Sequence, residues 1–321
     1  MSFVLTSITT TIDCTIQPCG KGKRVILKNK IDTIGSVYLI SFSALLGINQ
    51  VLIKITNEGV DPIFSAGARS LVGILFLGLW MIVFNKPLDL KRGTFLLGLL
   101  TGIVFSLEFF LLYLALDLTT VIRSSIIFYS MPVWLAVISH FWFPNDKLTK
   151  IKCTGLILSL SGIVWAITNS TNSASSGFIM GDLCALGASA LWALIAIISK
   201  GTRFSCLNAE TQLLWMLAVS FPILMIMSLM SQEILRDFKY YHAYIIVFQG
   251  SVVVAAGFAL WFWLLSIYPA SGVASFAFLA PVFGILFGIL ILQEPVDINF
   301  GIGATLVIFG IFLVNYNHKK L

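Results

Sequence analysis

Charged residues are scarce in this sequence. Only 11% of its 321 residues are Asp, Glu, Lys or Arg, whereas 58% are hydrophobic and the mean hydropathy is +0.98. A typical soluble domain carries about 25% charged residues. Because so few charges leave little surface that water can wet, the composition excludes a soluble globular protein and predicts an integral membrane protein.

Motifs of catalysis and of metal binding are also lacking. The five cysteines show no metal-ligand spacing, and the three histidines stand apart from one another. The sequence has neither a nucleophile constellation nor a glycine-rich phosphate loop. We therefore expect no enzyme activity, no cofactor and no metal. A membrane-embedded lipid-modifying enzyme is an unlikely alternative, since Asp146 or Glu294 alone does not make a catalytic site. A non-transporting membrane scaffold is the other alternative.

The sequence is dominated by apolar runs of about 20 residues, the length that spans a bilayer as a helix. Barrel strands would alternate over roughly ten residues, so the fold class is all-α. The ten predicted spans are 33–55, 62–84, 93–116, 120–143, 150–168, 178–200, 208–230, 242–267, 271–292 and 297–316. Residues 1–30 precede them and are interpreted as a disordered cytoplasmic tail, because they lack the apolar core of a signal peptide.

Basic residues are concentrated in every second connection between the predicted spans. Most of the 20 lysines and arginines therefore share one side of the membrane if every run spans. The positive-inside rule makes that side cytoplasmic, with both termini on it. We expect a multi-pass protein of the cell (inner) membrane, and we assign the net charge of +6 to topology, not to nucleic-acid binding.

The chain contains an internal repeat. A near-constant shift aligns Phe109 with Phe258, Pro132 with Pro281, Asp146 with Glu294 and Gly162 with Gly310. Each unit holds five predicted spans, and this odd number makes the second unit enter the membrane from the opposite side. The sequence therefore predicts ten transmembrane helices as two inverted five-helix repeats, 33–168 and 178–316. Inverted repeats are typical of alternating-access transporters.

These features resemble the drug/metabolite transporter superfamily, in its EamA-like ten-helix branch of permeases. The matching features are the five-plus-five repeat, the short hairpin between the third and fourth spans, the prolines Pro132 and Pro281, the acidic residue after each, and the glycine-rich fifth span of each unit. The resemblance implies that the first four helices of each unit surround a central cavity, while the fifth and tenth helices lie outside.

The resemblance favours a secondary transporter that exports or exchanges small organic metabolites such as amino acids, by alternating access around that cavity. Protons or a counter-solute are the candidate coupling partners. The alternative within transport is a carrier of phosphorylated or nucleotide-linked metabolites.

Arg69, Glu108 and Arg123 lie inside predicted spans, where burial of a charged residue costs a few kcal/mol and marks a pathway or a binding site. Arg69 and Arg123 are candidates for capturing an anionic group of the solute. Their alternatives are a static bridge to Glu108, or extension to the outer surface. Glu108 is either a proton carrier or solute ligand, or a structural partner, and we favour a static pair with Arg123, which one short hairpin brings close in sequence.

The other candidate solute ligands are aromatic or polar side chains in mid-span. Tyr113, Tyr129, Trp192 and Trp261 are predicted to line the cavity, with helix packing as the alternative. Asn49 contacts either the solute or a neighbouring helix.

Two prolines and two glycine pairs are candidates for shaping the helices. Pro132 and Pro281 each remove a backbone hydrogen bond, and we predict a hinge at each, with a static bend as the alternative. The pairs Gly98–Gly102 and Gly284–Gly288 predict close helix packing, and a homodimer is the weaker inference from them.

Overall fold

The computed structural model describes residues 32–90, 93–142, 148–169, 176–231, 233–268, 276, 279–295 and 298–315. The described chain consists of helices and their connections. In chain order the helices are α1 (Thr33–Gly59), α2 (Pro62–Val83), α3 (Phe95–Leu118), α4 (Val121–Phe128), α5 (Met131–Trp142), α6 (Lys150–Asn169), α7 (Ser176–Gly201), α8 (Ala209–Ser228), α9 (Tyr240–Phe248), α10 (Gly257–Ile267), α11 (Leu279–Leu292) and α12 (Ile298–Asn315). A π-helical segment, Gln249–Ala256, joins α9 to α10, and a 3₁₀ turn, Arg203–Cys206, precedes α8.

Seven segments of the described chain are long and apolar enough to cross a membrane. They are Thr33–Gly59, Pro62–Val83, Phe95–Leu118, Val121–Trp142, Gly177–Gly201, Ala209–Ser228 and Tyr240–Trp261. Two shorter apolar helices follow, at Leu279–Leu292 and Gly301–Leu313. The all-helical membrane fold is thus confirmed, while the count of ten spans stays a prediction. The tail over 1–30 lies outside the described residues.

Large apolar side chains face outward along these helices. Leu75, Ile82 and Leu96 are 62%, 75% and 74% exposed, as are many like them. Side chains of this kind cover the outside of a protein whose surroundings are lipid. The apolar helices therefore belong to a multi-pass membrane protein.

Helix starts are set by polar caps at the connections. The carboxylate of Asp61 accepts hydrogen bonds from Ile63 N and Phe64 N at 3.0 and 2.9 Å, and Pro62 begins α2. Thr120 caps α4 in the same way, accepting from Arg123 N at 3.2 Å. These caps satisfy the backbone N–H groups that a helix start leaves free.

Equivalent helices of the two halves make equivalent contacts with the opposite half. The second helix of one half (α2) packs on the second of the other (α8), and α6 packs on α12. α3 packs on α7, as the segment from α9 to α10 packs on α1. α4 and α5 pack on α7, as α11 packs on α1. This pattern is what a two-fold relation between the halves produces.

Glycines make these contacts close. A Cβ on Gly98 or Gly102 would lie 2.6 Å from Trp215 or 2.4 Å from Val219 of α8, and one on Gly284 would lie 2.2 Å from Ser125 Oγ. The prediction of close helix packing is confirmed for these three glycines. Since their near neighbours belong to the same chain, they give no support to a homodimer.

A break precedes Pro132. α4 ends at Phe128, a turn occupies Tyr129 and Ser130, and α5 restarts at Met131. Proline cannot donate the backbone hydrogen bond that would continue the helix, which accounts for the interruption. Pro281 is buried near the start of α11. The residues just before α11, 277 and 278, lie outside the described part of the chain. Motion at either proline stays a prediction.

Candidate solute-binding site

Arg69 is buried in the middle of the bundle. Its side chain, on α2, is 1% exposed, and its Cζ atom lies 3.8 Å from the centroid of the Phe109 ring and 5.7 Å from that of Tyr113. A desolvated cation over an aromatic face gains about 2 kcal/mol. The Nε and Nη2 atoms have no hydrogen-bond partner. The Arg69 guanidinium therefore lies over the Phe109 ring while its Nε and Nη2 donors stay unpaired.

Glu108 lies on α3 next to Phe109 and is 3% exposed. Its carboxylate interacts electrostatically with the Arg69 guanidinium. Within the part of the chain that the structure describes, neither residue takes part in a direct ion pair. The guanidinium and the carboxyl group are thus buried near one another without a direct ion pair.

Tyr113 connects this pair to the second half of the chain. Its hydroxyl donates to Gln249 Oε1 at 3.3 Å, and both side chains are fully buried. Gln249 is the first residue of the π-helical segment, and its Nε2 has no partner. Gln249 is not among the ligands predicted from the sequence. A polar residue in the apolar run over 242–267 was the available signal.

These side chains lie well inside their helices. Helical rise places Arg69, Glu108 and Gln249 about 10 to 15 Å from the helix ends at Pro62, Leu118 and Tyr240. The hydrocarbon core is about 30 Å thick. We call Arg69, Glu108, Tyr113 and Gln249 the central cluster.

Several of the other predicted ligands lie close to the central cluster. Tyr129 and Trp192 belong to the same apolar cluster as Tyr113. Trp192 stacks on Phe128 at 4.9 Å and meets Tyr129 edge-on at 6.0 Å. Asn49 is 7% exposed, and its Oδ1 has no partner. A role of these residues as solute ligands stays a prediction.

Trp261 belongs to a different apolar cluster from Tyr113. It stacks on Phe42 at 5.1 Å, beside Leu39 and Tyr268. The structure does not bring it together with the central cluster.

The expected pair of Glu108 with Arg123 is wrong. Arg123 forms a buried ion pair with Asp182 of α7, through Nη2 and through Nε at 3.1 and 3.2 Å from the two carboxylate oxygens. Depth explains the error, since Arg123 lies about 3 Å into its helix, whereas Glu108 lies about 15 Å from the end of α3. Asp182, a lone carboxylate in a predicted span, meets the criterion that selected Glu108, and the sequence reasoning missed it.

Further polar contacts join the two halves where α3 ends, which we call the Asp117 end. Arg236, between α8 and α9, donates to both carboxylate oxygens of Asp117 at 2.7 and 3.1 Å and to Asn57 O at 3.0 Å. Ser231 donates to Asp61 at 2.9 Å. These contacts therefore join the two halves at the Asp117 end.

Glu294 contributes the most unusual of these contacts. Its carboxylate accepts from the backbone N–H groups of Val121 and Ile122 at 2.7 and 2.9 Å, at the start of α4. A carboxylate at a helix start interacts favourably with the helix dipole. Burial raises the pKa of Glu294, and the two backbone hydrogen bonds and Lys54 oppose that rise.

Lys54 lies beside the end of α3. Its Nζ donates to Asp117 O at 3.3 Å, in the last turn of α3, and to Thr119 O at 2.8 Å, just past it. A cation at a helix end is favourable there.

The model of the EamA-like transporter family matches residues 33–168 and 179–316, both halves of this helical bundle. The chain belongs to the EamA-like transporter family. Membership shows that it is a membrane transporter built from two repeats, and it agrees with the absence of catalytic motifs from the sequence.

Relatives with this architecture occur in bacteria. The chain is 24% identical to the "Uncharacterized transporter YoaV" of Bacillus subtilis (strain 168), over 88% of this chain and 97% of that one. It is 28% identical to the "Uncharacterized transporter YvbV" of the same strain, over 88% and 92%. A "Probable amino-acid metabolite efflux pump" of Escherichia coli (strain K12) is 23% identical over 83% and 90%. Among solved structures, a crystal structure is similar with a TM-score of 0.64 at 16% identity, covering 90% of this chain and 99% of that one, which supports the fold alone.

Proposed function

We propose that this chain is a secondary transporter that exports or exchanges small organic metabolites such as amino acids, using the central cluster as its binding site. The observation that carries the proposal is the pair Arg69 and Glu108, buried inside the helical bundle without a direct ion pair. Evolution of a purely structural pair would favour direct contact, because isolated buried charges are costly. Binding of a polar solute would explain why these two ionisable groups are buried without direct contact.

The arrangement of the cluster between the halves supports alternating access. Arg69, Glu108 and Tyr113 come from the first half, and Gln249 comes from the second. Rocking of the halves opens such a site first to one side and then to the other. We propose ten spans in two inverted repeats, 33–168 and 178–316, with both termini cytoplasmic and the Asp117 end outside.

The name of the Escherichia coli relative, an efflux pump for amino-acid metabolites, supports export and the amino-acid class. The proposed location is the cell (inner) membrane, with protons or a counter-solute as coupling partner. Any hinge at Pro132, where the fourth span is interrupted, would move the helix that carries Arg123.

Counterflow in liposomes tests the proposal. Purified protein is reconstituted with an unlabelled metabolite inside, and uptake of a trace of the same labelled metabolite is measured across an amino-acid panel. We expect transient accumulation for at least one solute, abolished by Arg69→Lys, since the planar fork is lost while the charge stays. Ser70→Ala is the matched control, because its hydroxyl already bonds Ala66 O and Ser220 within the protein. No accumulation across the panel would refute the amino-acid assignment.

A further inference from the structure

Three buried N–H donor atoms beside Tyr113 lack an acceptor. They are Nε and Nη2 of Arg69 and Nε2 of Gln249. Leaving a buried donor unpaired costs about 1 to 3 kcal/mol, and more for a charged group. Unsatisfied donors on a cation and a neighbouring amide therefore point to an acceptor that belongs there during function.

The two side chains are brought close by tight backbone packing. A Cβ on Gly250 would lie 2.8 Å from the carbonyl oxygen of Arg69 and 2.6 Å from the side chain of Val72. Only glycine allows the residue after Gln249 to approach α2 in this way. Tyr113 lies between the two groups, with its ring near the Arg69 guanidinium and its hydroxyl on Gln249 Oε1.

The hydrogen bond from Tyr113 also fixes which part of the Gln249 amide stays available. Because Oε1 accepts the phenol proton, the free part of the amide is its N–H₂ group. Gln249 begins the π-helical segment Gln249–Ala256, a local widening of the helix that often accompanies functional sites.

We propose that Arg69 and Gln249 together bind the carboxylate of the transported solute, with Gln249 as the specificity-determining residue from the second half. This inference rests on the function proposed above. The guanidinium edge and the amide N–H₂ supply at least three donors to two acceptor oxygens. Glu108 interacts with the same guanidinium, and in its ionised form it repels a doubly charged phosphate group.

Binding to the full-length protein in detergent tests the site. The thermal unfolding midpoint is measured with each of four probes at millimolar concentration. They are leucine, its carboxamide leucinamide, 4-methylpentanoate, which keeps the carboxylate and lacks the ammonium, and glycerol 3-phosphate as the phosphate probe. We expect leucine and 4-methylpentanoate to raise the midpoint, and leucinamide and glycerol 3-phosphate to leave it unchanged.

Variants assign the effect to the two residues. Gln249→Met keeps the size of the side chain and removes the donor, and we expect about tenfold weaker carboxylate binding, the loss of roughly one charge-assisted hydrogen bond. Tyr113→Phe leaves both donors in place and tests the same site without deleting them, so its binding should weaken less. Ser70→Ala should bind as the wild type does.

Three results would overturn the proposal. They are equal stabilisation by leucine and leucinamide, stabilisation by none of the carboxylates, and unchanged carboxylate affinity in a folded Gln249→Met variant. Counterflow separates this proposal from the proposed function. Carboxylate binding without transport in liposomes refutes the transporter and leaves the site intact, whereas counterflow of leucinamide as fast as leucine refutes the carboxylate site alone.

Discussion

Arg123 and Asp182 form an ion pair that ties the fourth helix of the chain to α7. The side chains are 6% and 0% exposed, and Thr119 Oγ1 donates to the same carboxylate at 3.1 Å. α4 belongs to the first half and α7 to the second, so the pair joins the halves at the Asp117 end. A buried charge with such a partner serves the structure, whereas Arg69 has no direct ion pair within the described chain.

Asp182→Asn should destabilise the protein strongly, because it leaves Arg123 buried without its counter-charge. Removing one partner of a buried pair costs about 3 to 5 kcal/mol. Thermal unfolding in detergent measures the loss. The double variant Arg123→Gln/Asp182→Asn should recover part of it, which shows direct coupling. A Glu108→Gln/Arg123→Gln cycle should be additive, and strong coupling there would restore the pairing that the sequence suggested.

Arg236→Ala should open the Asp117 end, since it removes two bonds to Asp117 and one to Asn57. The reporter is Ser124→Cys, a fully buried position one turn inside α4, in a background without the native cysteines. We expect faster labelling by a membrane-impermeant maleimide when Arg236 is lost. Lys239→Ala is the matched control, because the Lys239–Asp237 pair lies on the same connection with side chains 56% and 78% exposed. Equal labelling in both variants would show that Arg236 does not hold the end closed.

Glu294 should give the protein a pH-dependent stability. Burial raises its pKa above the ordinary value of 4.5, so the folded state holds the proton more tightly than the unfolded state does. Its contribution to the free energy of unfolding is therefore full below the ordinary pKa and declines as pH rises through the raised value. Glu294→Gln should remove that decline, measured as the difference between the two unfolding midpoints across the weakly acidic range. A constant difference across that range would show that the pKa is not shifted.

Much of the fold could be predicted because long apolar runs identify membrane helices in the sequence. The burial of Arg69 and Glu108 inside the bundle could be predicted because a charged residue in an apolar run is easily recognised. The partner of Arg123 could not, because closeness along a hairpin says nothing of depth, and Asp182 reaches it from a distant helix. Gln249 escaped notice for a different reason: it is uncharged, and its π-helical setting depends on Gly250 packing against α2.

Glu108 is best tested by its neutral mimic, Glu108→Gln. If Glu108 were a static partner of Arg69, its loss would leave Arg69 unpaired. Expression and thermal stability would then fall, and neutralising Arg69 as well would partly restore them. The structure argues against this outcome, because Glu108 and Arg69 interact without a direct ion pair. A carboxylate held this way is free to gain and lose a proton as the site changes sides. We therefore expect a folded variant in which solute exchange persists and transport driven by a pH gradient is lost. Counterflow and gradient-driven uptake, measured on the same liposomes, give both readouts. A destabilised variant, or driven uptake equal to that of the wild type, would contradict the proton-carrier role.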